Sequence, residues 1–170
     1  PVIINPFKLS HENDSEWYEH YDNLINFKKK EILNYINQKK IFEGTVIEYM
    51  CSSGSLLKYL INNMKSDTLH FIALDLDFYA LKSLGEIYTG ITLVCADAVK
   101  SPIKDQSILL GVSNSVHHIE SFSQDFYRSV NNSLCPDGRF IGIESQGLFS
   151  KLVIHVLNFI PKKFIPYSIK

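Results

Sequence analysis

The chain has 170 residues, of which 45% are apolar and 21% charged, with a formal net charge of −1. That is enough for one globular domain with a core, and it leaves no basic excess to recruit nucleic acid or an anionic membrane. Three cysteines, Cys51, Cys95 and Cys135, lie far apart without CxxC spacing, which excludes a disulfide framework or a zinc site and reads as reduced, buried thiols in a cytoplasmic protein.

In chain order, the first element is a helix over about 15–39. Trp17, Tyr21, Leu24, Ile25, Phe27, Ile32, Leu33 and Ile36 recur mostly at steps of three and four. It reads as a lid or as a flank of the sheet, and its "FKKKE" run reads as a solvated face. A strand over 45–49 follows, then a small-residue loop, "MCSSG", and a helix over 55–64. "LHFIALDLD" is a second strand and "FYALKSLGEIY" a helix. "ITLVCADA" and "SILLGVSN" are the third and fourth strands. "SFSQDFYRSVNNSLC" is a helix closed by a "PDG" turn, "RFIGIES" a fifth strand, and "LFSKLVIHVLNFI" a final helix ended by Pro161. Leu152–Ile160 is the longest apolar run and falls short of the ~18–20 residues of a membrane span. The first residues lack the basic head of a secretory signal.

Alternating strands and helices predict an α/β fold. Its sheet is Rossmann-like, mostly parallel and flanked by helices. The division expected is a helical lid or flank over 1–40, an α/β core over 41–146, and a C-terminal helix and tail over 147–170, all in one domain. Ligands of such sheets sit at the carboxyl ends of the strands. Polar residues gather there. Glu48 ends strand one. Asp75 ends strand two, 21 residues after Gly54, close to the roughly 20 expected for an acid that accepts ribose hydroxyls. Asp97 ends strand three, placed for an exocyclic amine. A carboxylate directly before the loop is awkward for pyrophosphate and suits a ligand with a cationic part. That argues against a nicotinamide dinucleotide, as does the lack of GxGxxG.

On these residues the chain resembles a class I S-adenosylmethionine-dependent methyltransferase of the small-molecule type. The first motif of that family is acid–x–Gly–x–Gly–x–Gly. "EYMCSSG" matches it at Glu48 and Gly54, with Met50 and Ser52 in place of the first two glycines. "ALDLDFYALKSL", "CADAVKSPIKDQS", "VSNSVHHIES" and "VNNSLCPDGRFIGIES" resemble the later motifs in order, with Ile108 and Asp137 as departures. The resemblance covers about 46–144. It implies S-adenosyl-L-methionine as cofactor, held by Glu48, Met50, Ser52, Gly54, Asp75, Leu76, Asp97, Ala98 and Asn114. His117 and His118 are the candidate catalytic residues, as a base toward the acceptor. Adjacent histidines in a loop diverge and no HExxH accompanies them, so no metal is expected. Without an "NPPY"-type motif after strand four, the acceptor expected is a small molecule and not nucleic acid. A catalytically inactive, methyltransferase-like binding or scaffold domain is the alternative.

In the resembling fold a closing antiparallel pair follows strand five, and little sequence remains after Ile160 to form it. Both ends of the chain read as cuts in a longer protein. The expectation is that part of that pair is lacking, and that a partner copy, a missing C-terminal region or the last helix covers the strand-five edge.

Overall fold

A computed structural model describes residues 14–64, 66–116, 123–142 and 155–158. Among the described residues six strands form one sheet in the order β3-β2-β1-β4-β5-β6. They are β1 (Gly44–Tyr49), β2 (Leu69–Asp75), β3 (Ile91–Cys95), β4 (Ile108–Ser113), β5 (Leu134–Gly142) and β6 (His155–Asn158). The first five are parallel, and β6 pairs antiparallel with β5. The helices are α1 (Asp14–Gln38), α2 (Ser55–Asn63), α3 (Phe78–Ile87) and α4 (Ser123–Ser133). This is the α/β, Rossmann-like, mostly parallel sheet flanked by helices that the alternation predicts.

Strand period explains how the layers assemble. Val46 faces α1 and α2, where it is buried with Ile32, Ile36, Leu56 and Leu60. Ile47 and Tyr49 face the other side, against Phe126 and Val130 of α4 and Phe140 of β5. Glu48 therefore shares the α1/α2 side with Val46. Tyr49 meets Phe126 edge-on, with ring centroids 5.7 Å apart, and its hydroxyl lies 2.7 Å from Ser133 Oγ. Ser133 Oγ itself donates to the Val130 carbonyl at 2.7 Å, so the phenol is the donor to Ser133.

Four expectations are corrected. The stretch predicted as a final helix contains β6 in its place. Apolar residues at 152–160 imitate helical spacing, but the open edge of β5 supplies strand hydrogen bonds that a helix would leave unused. As part of the same correction, that edge is paired with β6 of the same chain, in the register Arg139↔Asn158 to Gly142↔His155, where a covering helix was expected. The "PDG" turn lies inside β5: Ile108 pairs with Leu134 and Leu110 with Arg139, so the intervening residues bulge out of the ladder. Gly138 makes that bulge possible, since a Cβ there would come within 2.6 Å of the Ile108 carbonyl oxygen.

The thiols are the third correction: Cys51 is buried, Cys135 half-buried, and Cys95 exposed at the end of β3, an outer strand with Thr92 and Leu93 also exposed. The fourth concerns the lysine run. Lys28 is buried, and the Lys29 ammonium donates to Ser55 Oγ at 2.8 Å. Among the described residues no helix is long and apolar enough to cross a membrane. The side chains before Asn26, on which the lid reading rests, lie outside the described residues, as do positions 143–145, the predicted end of strand five.

Candidate functional site

The loop from β1 to α2 has an unusual backbone. Met50, Ser52 and Gly54 all have positive φ, at 56°, 47° and 70°. These are the three positions where the resembled motif has glycine. Two carry side chains, yet the chain keeps the left-handed conformation that glycine favours, at a cost on the order of 1–2 kcal/mol for each non-glycine residue. The loop is over-determined by its neighbours. Cys51 N–H donates to the Leu74 carbonyl at 3.2 Å, Gly54 N–H to the Cys51 carbonyl at 2.7 Å, and Ser52 N–H to Asp75 Oδ2 at 2.7 Å.

Asp75 ends β2 and is half-buried. Its other oxygen, Oδ1, accepts the Asp77 N–H at 2.8 Å, and its backbone carbonyl accepts the Ala96 N–H at 3.0 Å. One residue thus ties together the ends of β1, β2 and β3. A carboxylate has about four acceptor sites; two remain for a ligand. Asp77 caps α3 by accepting the Tyr79 and Ala80 N–H groups. Asp97 caps the 3-10 helix Ala98–Lys100, accepting the Val99 N–H at 2.9 Å, and is exposed.

Glu48 is 3% exposed. Its Oε2 accepts the Leu57 N–H at 2.9 Å, in the first turn of α2. Burial pushes its carboxyl up to about 8; the Leu57 hydrogen bond and the Lys29 cation pull it back, and the charge of Asp75 adds to the rise. Burial likewise raises the Cys51 thiol, which keeps it protonated and unfit as a nucleophile. Lys29, read from sequence as part of a solvated face, instead reaches from α1 to the start of α2 and sets a positive charge beside Glu48. Its place in the run "FKKKE" gives no signal for this, since the contact depends on how α1 crosses the sheet.

A cavity of about 80 Å³ opens at the strand ends, lined by Met50, Asp75, Leu76, Ala96, Asp97, Ala98 and Val99. Five of the predicted site residues, Met50, Asp75, Leu76, Asp97 and Ala98, therefore meet at one place. Ser52 and Gly54 stand beside it in the loop. Glu48 lies apart from the lining, against α2, and Asn114 is half-buried just past β4, also away from the lining. His117 and His118 lie outside the described residues. A wider groove of about 420 Å³ runs past Phe78, Gly85 and Leu93, without any of the strand-end acids. Among the described residues no group of three or more His, Cys, Asp or Glu side chains is placed to hold a metal ion.

A family model described as a methyltransferase domain matches residues 47–142, more than half of the chain and the segment that carries this loop and cavity. The chain belongs to the methyltransferase-domain family. Membership implies use of S-adenosylmethionine. No curated protein matches. Among solved structures, the methyltransferase domain is similar to a Methanococcus maripaludis protein described as an S-adenosyl-L-methionine-dependent methyltransferase. Identity is 24%, coverage 64% of this chain and 51% of that one, and TM-score 0.56. A protein of Pyrococcus horikoshii matches at 17% identity over 72% of this chain and 57% of its own, with TM-score 0.59. A SAM-dependent methyltransferase from Aquifex aeolicus matches at 14% identity over 70% and 66%, with TM-score 0.58. At these identities the likeness is one of fold. The chain spans about half the length of the first of these relatives.

Proposed function

We propose that this domain binds S-adenosylmethionine at the β1–β2–β3 strand ends and transfers its methyl group to a small-molecule acceptor. The observation that carries the reading is the left-handed loop at 50, 52 and 54, anchored on Asp75 beside a cavity that also holds Asp97. The residue set suits the ligand: Asp75 has two acceptor sites free for ribose hydroxyls, and Asp97 has one oxygen committed to its cap and one available to an exocyclic amine. Leu76 and Ala98 give the cavity apolar walls for a base.

S-adenosylmethionine supplies a methyl group already activated on a sulfonium. The protein's part is then orientation, charge complementarity and exclusion of water. Glu48, beneath the loop, offers a carboxylate to a cationic ligand, and such a ligand favours its ionised form. Asp75 sets the height of the ribose by the same oxygens that hold the loop. Ser113 and Asn114 lead from β4 into the segment of His117 and His118, which would hold a proton released by an acceptor hydroxyl or amine.

Calorimetric titration with S-adenosylmethionine and with S-adenosylhomocysteine tests the reading. Micromolar binding of either supports it. An absence of heat at millimolar ligand would leave the inactive scaffold reading, which Met50 and Ser52 at glycine positions favour.

A further inference from the structure

We propose that the Met50 side chain is a displaceable plug of the nucleoside cavity, the residue that sets which ligands enter and how tightly they are held. The inference rests on the cofactor reading above and adds a residue-level control to it.

The cavity of about 80 Å³ is far below the roughly 300–1,000 Å³ of pockets that enclose small ligands. A nucleoside can be enclosed there only if something in the lining yields, and most of the lining is fixed. Asp75 is held through both carboxylate oxygens, and Ala96 by its N–H to the Asp75 carbonyl. Asp97 is committed to Val99 as a cap, and Ala98 is buried with a side chain too small to matter. Leu76 is 70% exposed and already lies largely in solvent. Val99 is branched at Cβ and stiff.

Met50 alone is large, unbranched and half-buried in the lining. Its side chain packs against the cluster that contains Leu74 and Ala98. A methionine has three rotatable bonds and repacks readily. Glycine at this position, as in the resembled motif, would leave that volume open. The left-handed φ of 56° does not itself weaken binding, because the anchored loop carries the same strain with or without ligand. Volume and strain are therefore separable by substitution.

Met50→Ala removes the plug and keeps a Cβ at positive φ; Met50→Gly removes both. Titrated with S-adenosylhomocysteine, both variants should bind on the order of fivefold or more tighter than the wild type, and about equally with each other. Only the glycine variant should also melt higher than the alanine one. The chain has two methionines, so in protein labelled with methyl-13C methionine the Met50 methyl should shift at saturation while Met64, buried against α2 in the other cluster, stays. Binding to the variants alone is the extreme form of the expected result. A wild type that binds as tightly as Met50→Ala, or a Met50 methyl unmoved at saturation, overturns the plug and leaves the cofactor reading standing. Failure of all three proteins to bind at millimolar ligand overturns both.

Discussion

The Asp75 carboxylate accepts the Ser52 N–H at 2.7 Å, a contact between the end of β2 and the middle of the β1–α2 loop. The acid expected to read a ribose is thus also the pin that holds a glycine-poor loop in a glycine-like shape. Asp75→Asn should damage both roles. The amide keeps one acceptor and turns an NH2 group toward a backbone donor. The expected loss is about 1–3 kcal/mol in urea unfolding, with S-adenosylhomocysteine affinity down by about tenfold or more.

Glu48 makes stability depend on pH. The folded protein keeps the Glu48 proton up to about 8, whereas the ordinary value for an unfolded glutamate is 4.5. Between those values the folded state binds more protons, so stability falls as pH rises through the window and levels off above it. Glu48→Gln removes this slope. The variant should match the wild type at the acid end and exceed it at the basic end by an amount reaching several kcal/mol, read from urea midpoints across the window. Near neutral pH, S-adenosylmethionine should release a proton from the wild type on binding, visible as a heat that changes with buffer, and release none from the variant.

Ser52 stands at φ 47° with its N–H already used by Asp75. Ser52→Gly should raise stability by roughly 0.5–1 kcal/mol, the relief of the left-handed conformation less the added freedom of the unfolded chain. A drop in melting temperature would show that the serine earns its place through a contact beyond the backbone.

Tyr49→Phe deletes the buried phenol that donates to Ser133 Oγ and leaves the ring against Phe126 and Phe140. Ser133 keeps its bond to Val130, so the cost should be near 1 kcal/mol in chemical denaturation. Ligand affinity should not change, because Tyr49 shares a cluster with Ala98 but does not line the cavity, and its ring stays in place against Phe126 and Phe140.

The sheet and the strand-end acids were legible because they follow from period and spacing. Glu48 and Asp75 fall at strand ends that the apolar runs alone locate, Gly54 and Asp97 stand a few residues past such ends, and Met50 and Ser52 could be placed by register with Glu48 even without glycine. What escaped depends on contacts between distant segments. The helical spacing of Leu152–Ile160 gives way to β6 because β5 has an edge to fill. Lys29 finds Ser55 only once α1 lies across the sheet. The "PDG" bulge needs the register between β4 and β5, set by Ile108↔Leu134 and Leu110↔Arg139. The narrowness of the cavity could not be read at all, since it depends on where the Met50 side chain comes to rest.

The strand order also dictates when the molecule can become whole. β1 lies between β2 and β4, and its Val46↔Leu110 partner is far along the chain. On an emerging polypeptide, β1, β2 and β3 can zip together early, while the second edge of β1 stays open until β4 has been made. Closing so long a loop is slow, and the open edge is the period of greatest exposure to misassembly. Asp75 and its grip on Ser52 belong to the early half, so the loop can take its shape before the sheet is closed.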